Sequence, residues 1–203
     1  IGHHFQPIRR SAMHGWHTAA GAAFVPAGLW LRPQYYQRPG EGMWDAIYRE
    51  TVAVRKSVGI VDVSTLGKID LQGADAAELL NRVYINAGSK LGIGRCRYGV
   101  MLREDGIAFD DGTTSRLAEN HYLMTTTTAN AGEVMRHLEF FLQVVWPDLD
   151  VHIVSVTEEW AAIALAGPDS RTVLERLTDD IDVSNEALPF MGVREGTFAG
   201  VAG

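Results

Sequence analysis

The chain has 203 residues, 46% of them hydrophobic, and a formal net charge of -7 at pH 7. A chain of this size and composition can bury a substantial core as one large or two small domains, which excludes a disordered or fibrous protein. No basic run is longer than Arg9-Arg10, so the clustered positive surface that binds nucleic acid is not expected. No apolar run approaches the ~20 residues that span a bilayer, and the first residues do not form a secretory signal, so we expect a soluble, cytoplasmic protein with no membrane partner.

The single cysteine and the histidines indicate neither a disulfide nor a metal site. Cys96 has no second cysteine to pair with, which suits a reducing compartment and favours a small core residue. His14 and His17 could meet on a helix, but no Cys, Asp or Glu stands at metal-ligand spacing from them. We therefore predict surface or packing histidines and no metal.

The first forty residues are rich in proline, glycine and aromatic side chains and show little periodicity. This composition predicts an extended arm over another surface, with Trp16 and Trp30 leaving some apolar area exposed. A helix-like mixture of apolar and charged residues follows over residues 44–58 and ends at Gly59. The next predicted elements are a strand at 60–63, a strand at 67–71 and a helix at 75–84.

A predicted hairpin over residues 98–112 is the most informative part of the sequence. Apolar and polar residues alternate on both sides of Glu104-Asp105-Gly106, which is the period of half-buried strands around a tight turn. Successive strand residues point to opposite faces, so Asp110 and Asp111 should not share a proton. One of the two should face inward, and the other should face water or close the Asp-Gly turn.

The residues around the hairpin complete the predicted fold. Strands are predicted at 113–117 and 121–127, a helix at 129–145, strands at 151–156 and 160–165, and a short helix at 170–177. Short connections between strands, with helices to one side, indicate an α+β fold of mostly antiparallel sheets with flanking helices. Basic residues near the hairpin add a positive bias that could attract an anionic ligand: Lys90, Arg95, Arg97 and Arg103.

Five motifs occur in the order seen in folate-binding aminomethyltransferases such as the T-protein of the glycine cleavage system. They lie at residues 54–64, 69–75, 98–111, 163–168 and 189–196. The chain therefore resembles this family over nearly its whole length. Thr65-Leu66 replaces the His-Met of T-proteins, and the segments 32–36, 122–128 and 146–151 resemble the C-terminal part of the alpha subunits of heterotetrameric sarcosine oxidases.

The resemblance implies a truncated T-protein-like folate-binding fold, in which the chain holds part of a three-subdomain module. The expected divisions are an extended arm and start of the first subdomain at 1–47, an α+β subdomain with the hairpin at 48–147, and a return to the first subdomain at 148–203. The family's acidic pterin-binding segment would lie beyond Gly203. We therefore expect the isolated chain to bind folate weakly or not at all and to be inactive.

The resemblance also implies an activity in sarcosine catabolism. A flavin in another subunit would oxidise sarcosine, and this region would capture the carbon on tetrahydrofolate as 5,10-methylenetetrahydrofolate, with glycine as the second product. Other sarcosine oxidase subunits would be the partners, and FAD, FMN and NAD would be bound elsewhere in the complex.

The resemblance places a catalytic carboxylate at Asp110, where it could accept a proton from a folate nitrogen or stabilise a transient cation. With that role, we expect Asp110 to face inward and Asp111 to close the Asp-Gly turn. Around the folate it places Leu66, Tyr98, Thr127, Phe190 and Met191. The Tyr98 ring would stack on a flat ring of the ligand, whereas Thr127 stands where T-proteins have an asparagine.

Three alternatives stay open. A stand-alone aminomethyltransferase would need the Ser-His-Met sequence that the chain lacks. A non-catalytic folate-binding scaffold would hold oxidase subunits together, with Asp110 as a structural residue. A demethylating dehydrogenase of the dimethylglycine type would carry nucleotide-binding motifs on the amino side.

Overall fold

The computed structural model describes residues 9–203, which contain twelve strands and five α-helices. The strands are β1 (Arg9–Arg10), β2 (Ala22–Ala27), β3 (Trp30–Tyr36), β4 (Gly59–Asp62), β5 (Gly67–Gln72), β6 (Arg95–Leu102), β7 (Ala108–Ala118), β8 (His121–Thr126), β9 (His152–Ser155), β10 (Ile163–Ala166), β11 (Thr197–Phe198) and β12 (Val201–Ala202). The helices are α1 (His14–Ala19), α2 (Met43–Lys56), α3 (Ala76–Val83), α4 (Ala131–Phe140) and α5 (Ser170–Leu174). All strand pairs except β1 with β3 are antiparallel, which confirms the predicted α+β class. None of the helices in this part of the chain has the length and hydropathy of a membrane span.

The described residues form two compact units. The first unit contains residues 9–65, 160–183 and 196–203, and the second contains residues 66–159 and 184–195. These edges differ from the predicted divisions at 47 and 147. Helix α2 packs on β3 and β4 and so stays in the first unit, whereas β9 pairs with β5 and so belongs to the second. Periodicity along the sequence does not show which strands pair, so it could not place these edges.

The predicted arm is a folded element over its described part, residues 9–40. Helix α1 is followed by the hairpin of β2 and β3, which turns at Gly28 with a left-handed φ of 57°. Trp30 is 5% exposed, whereas Trp16 is 57% exposed. The prediction of an extended arm is therefore wrong for these residues, and the predicted apolar exposure holds for Trp16 alone. A proline inside each strand hides the strand pattern in the sequence.

The second unit contains a five-stranded sheet in the order β6-β7-β8-β5-β9. One face of this sheet packs on α3 and α4, because both helices carry apolar residues at helical spacing. The core contributed by the strands is Ile69, Leu71, Met101, Tyr122 and Met124, and by the helices Leu79, Leu80, Val134 and Leu138. The opposite face of the sheet carries Tyr98 and Asp111.

The helix predicted at 129–145 is shorter than expected. Regular α-helix ends at Phe140, and one π-helical turn continues over Phe141–Val145 before Trp146-Pro147 ends it. The Trp146 ring stacks on Phe141 with centroids 4.4 Å apart, and both side chains pack against the core of the unit.

Candidate functional site

Asp110 faces the interior of the second unit, as predicted. Its side chain pairs across the sheet with buried Met101, and the residue is 8% exposed. The Thr127 backbone N–H donates to Asp110 Oδ2 at 3.2 Å, and Asn130 Nδ2 donates to Oδ1 at 3.3 Å. Both donors lie in the short segment between β8 and α4, so this carboxylate ties β7 to the residues that lead into that helix.

The Tyr84 side chain lies near Asp110 on the same inner face. Burial raises the pKa of the Tyr84 hydroxyl, the negative charge of Asp110 raises it further, and a hydrogen bond with Thr114 opposes the rise only in part. Tyr84 therefore stays a protonated donor. A cavity of about 20 Å³ beside Tyr84 and Gly99 has room for about one water molecule, so it is far too small for a pterin ring.

Asp111 points the other way and contacts Tyr98. Register pairs Tyr98 with Thr113 and Val100 with Asp111, which puts the two side chains on one face of the sheet. The Tyr98 hydroxyl donates to Asp111 Oδ2 at 2.6 Å, and this hydrogen bond raises the pKa of Tyr98. Tyr98 is 49% exposed, and Asp111 is exposed as well. The pair is therefore open to a ligand.

The prediction that Asp111 closes a turn is wrong. Asp111 lies inside β7, and the hairpin turns instead at the predicted residues 104–106, where Gly106 has a left-handed φ of 80°. Gly112 is needed for close packing and not for a turn, because a Cβ there would lie 2.0 Å from the carbonyl oxygen of Thr125.

A β-bulge decides which aspartate shares the Tyr98 face. Near the turn Leu102 pairs with Ala108, but the next pair is Met101 with Asp110, so Phe109 is an extra residue in β7. Such a shift of one residue exchanges the faces of the residues beyond it. A regular hairpin would have put Asp110 on the Tyr98 face, whereas the bulge puts Asp111 there.

The other predicted folate residues all belong to the second unit. Leu66 is half-buried just before β5, and the Thr127 side chain is exposed while its backbone binds Asp110. Phe190 is 85% exposed, and Met191 is half-buried with a left-handed φ of 58°. The Met191 carbonyl oxygen accepts a hydrogen bond at 2.8 Å from the backbone N–H of Cys96 in β6.

The first unit contains a buried network of hydrogen-bonded polar side chains that the sequence did not indicate. His17 is 3% exposed, its Nε2 lies 2.9 Å from Asp62 Oδ2, and its Nδ1 lies 2.5 Å from the Tyr36 hydroxyl. The Ser11 hydroxyl donates to the same carboxylate at 2.5 Å. Burial alone would raise the pKa of Asp62, but hydrogen bonds from Ser11, Ser64 and His17 outweigh it and lower the pKa to about 2. The Asp62-Val-Ser motif was visible in the sequence, but its histidine partner 45 residues earlier was not.

Metal binding has no support in this geometry. Within residues 9–203, no three side chains of His, Cys, Asp or Glu are grouped in a way that could hold a metal ion.

The chain is similar in sequence to sarcosine oxidase alpha subunits. The chain is 54% identical over 202 residues to the sarcosine oxidase subunit alpha of Rhizobium meliloti strain 1021, covering 99% of this chain and 20% of that protein. It is 53% identical over 196 residues to the subunit of the same name from Corynebacterium sp. strain U-96, covering 97% of this chain and again 20% of the relative. The chain therefore spans about a fifth of the length of these relatives.

The fold matches a solved structure. The crystal structure of glycine cleavage system aminomethyltransferase T from Bartonella henselae superposes with a TM-score of 0.76 at 26% sequence identity, over 91% of this chain and 46% of that one. The GCVT N-terminal domain matches residues 13–203. The predicted resemblance is thus confirmed: the chain belongs to the GCVT N-terminal domain family.

Proposed function

We propose that this chain is the folate-binding region of a sarcosine oxidase alpha subunit. It would capture the one-carbon unit released from oxidised sarcosine on tetrahydrofolate, giving 5,10-methylenetetrahydrofolate and glycine. The support for this is the name and identity of the relatives together with the exposed Tyr98–Asp111 pair.

The Tyr98–Asp111 pair carries the proposal because it combines a flat ring and a carboxylate on an accessible surface. The Tyr98 ring can stack against a planar ligand, and its hydroxyl already has a partner in Asp111. Phe190 offers a second exposed ring within the same unit. Leu66, Thr127 and Met191 complete the set that would hold the folate. Bound tetrahydrofolate would supply the nucleophilic nitrogens that accept the carbon.

The proposed role of Asp111 is general base and electrostatic partner. A nitrogen that forms a new bond to carbon must lose a proton, and a carboxylate beside it can accept that proton or stabilise the positive charge that develops. Asp111 is exposed on the ring-bearing face, whereas Asp110 is buried and already accepts two hydrogen bonds. The assignment of Asp110 as the catalytic carboxylate stays a prediction, and the geometry favours its neighbour for direct contact.

The remaining parts of the proposed reaction lie outside this chain. Oxidation of sarcosine would take place at a flavin in another subunit, with FAD, FMN and NAD bound elsewhere in the complex. The experiment that tests the capture step measures methylenetetrahydrofolate and free formaldehyde from sarcosine in the intact protein, with Asp111→Asn and Asp110→Asn compared. Unchanged capture in both variants would favour the non-catalytic scaffold instead.

A further inference from the structure

The first unit contains a cavity that is not lined by any of the residues proposed to hold folate. Its volume is about 120 Å³, which leaves room for several water molecules or for a small organic ligand. All of its lining residues belong to this unit. Much of its wall is formed by apolar side chains that are exposed or half-buried: Met13, Trp16, Ile60 and Ile163. The polar part of the wall includes Tyr36 and Glu50.

Two aromatic rings form a corner of this cavity. The Trp16 and Tyr36 ring centroids are 6.2 Å apart, and the ring planes meet at 67°. Trp16 is 57% exposed, so much of its indole ring is left uncovered. The face of an aromatic ring is electrostatically negative and attracts cations, most strongly in tryptophan. The corner therefore favours a positively charged ligand over a negatively charged one.

A carboxylate lies beside the two rings. The Glu50 side chain lines the cavity and is 32% exposed. Its Oε1 accepts a hydrogen bond at 2.8 Å from the Tyr36 backbone N–H. Arg49 Nη2 lies 3.7 Å from the same oxygen, whereas Arg49 contacts Glu41 more closely, at 2.7 Å. The negative charge of Glu50 is therefore only weakly neutralised by its neighbours.

Asp62 adds a second negative charge behind the cavity wall. Its side chain is fully buried, and hydrogen bonds outweigh burial and lower its pKa to about 2. Burial raises the pKa of the Tyr36 hydroxyl, and the charges of Glu50 and Asp62 raise it further. Among the described residues no lysine or arginine lines the cavity, and both ring nitrogens of His17 lie within hydrogen-bond distance of Asp62 or Tyr36.

We propose that this cavity binds a small methylated ammonium cation, with the Trp16 and Tyr36 rings and the Glu50 carboxylate as its contacts. Such a cation presents positive charge through apolar methyl groups, which suits a wall of aromatic faces, aliphatic side chains and one carboxylate. A metal ion would need several ligating side chains, and residues 9–203 contain no group of three His, Cys, Asp or Glu that could supply them. No residue of the proposed folate set takes part, so this site is independent of the proposed function.

The test is a calorimetric titration of the intact protein with tetramethylammonium chloride. The matched probe is tert-butanol, which is similar in size but uncharged, at an ionic strength equalised with sodium chloride. We expect tetramethylammonium to bind saturably with a dissociation constant on the order of 1–10 mM, and tert-butanol to bind at least about fivefold more weakly. Equal binding of the two probes, or no binding of tetramethylammonium, would overturn the site.

The double variant Trp16→Leu/Glu50→Gln locates the binding. It removes the exposed aromatic face and the charge, while glutamine keeps an oxygen that can accept the Tyr36 N–H. Its affinity for tetramethylammonium should fall by about tenfold. Binding that survives unchanged in this variant would refute the assignment.

The matched control is Trp44→Leu/Glu175→Gln, which makes the same two exchanges at exposed positions of the same unit that do not line the cavity. Its affinity should stay within about twofold of the parent protein, and an equal loss in both double variants would contradict the site. Melting curves show whether each variant is folded. If Trp16→Leu/Glu50→Gln does not fold, Glu50→Gln alone decides the question: a loss of about threefold supports the site, and an unchanged affinity refutes it.

Discussion

The exchange of Asp111 for Asn tests the central chemical assignment. The substitution removes the negative charge and the ability to accept a proton, but it keeps the side-chain size and an oxygen that the Tyr98 hydroxyl can still bind. We expect carbon capture to fail, while sarcosine oxidation, which under the proposed function would take place at a flavin elsewhere, keeps its rate.

The size of the effect follows from the geometry. Proton transfer by a positioned side chain typically contributes about 10²–10⁴-fold to a rate, so capture should slow by about 100-fold or more. Because Asp111 is an exposed strand residue, the free energy of unfolding should change by no more than about 0.5 kcal/mol. The loss of capture would therefore not be a loss of fold.

The matched control is Asp110→Asn, which makes the same substitution at the neighbouring residue. Asp110 is buried and accepts two hydrogen bonds, so losing its charge should lower the free energy of unfolding by about 1–3 kcal/mol. Its rate of capture should stay close to that of the parent protein at temperatures where the variant is folded.

The assay follows sarcosine consumption, methylenetetrahydrofolate and formaldehyde in the same reaction, with urea unfolding of each variant. The reasoning is refuted if Asp111→Asn captures carbon at the parent rate while Asp110→Asn, still folded, does not. That result would return the catalytic role to the inward carboxylate.

Three further predictions concern pKa values and packing. Asp111→Asn should lower the pKa of Tyr98, because it weakens the hydrogen bond that raises this pKa. Ultraviolet titration of the variant and the parent protein measures the change, and identical tyrosine titration curves would contradict the prediction. The pKa of Asp62 falls to about 2 in the folded chain from 3.8, so its stabilising effect is complete above about pH 4 and is lost as the pH falls towards 2. Urea unfolding should therefore show a stability gap between the parent and Asp62→Asn that narrows over this range, and a constant gap would refute the assignment. Gly112→Ala should lower the free energy of unfolding by about 1–3 kcal/mol or more, because its Cβ would lie 2.0 Å from a backbone carbonyl oxygen. The control Gly132→Ala lies in α4 with open space around it, so it should leave the stability unchanged or raise it. Equal melting temperatures for the two variants would contradict the packing argument.

Local sequence patterns predict most of the strands and helices of the second unit. Alternation around Glu104-Asp105-Gly106 predicted the hairpin, and helical spacing predicted α3 within one residue at each end. Alternation also predicted that Asp110 and Asp111 face opposite ways, and in the fold Asp110 is buried while Asp111 is exposed. These features depend on neighbours in the sequence, and for that reason the sequence reveals them.

Long-range pairings could not be predicted in the same way. The folded part of residues 9–40 depends on a hairpin whose strands each contain a proline, so its strand pattern was hidden. The His17–Asp62 contact joins residues far apart in the chain, and no local sequence pattern indicates that the two side chains meet. The edges of the two units depend on the pairing of β9 with β5, which is likewise a tertiary event.

The sequence by itself determined most elements of the second unit, the family resemblance and the presence of two adjacent carboxylates on a strand. Only the tertiary structure decided which carboxylate accompanies Tyr98. The bulge at Phe109 adds one residue to β7, and since side chains alternate with a period of two, that single residue turns Asp111 towards the open face and Asp110 into the core.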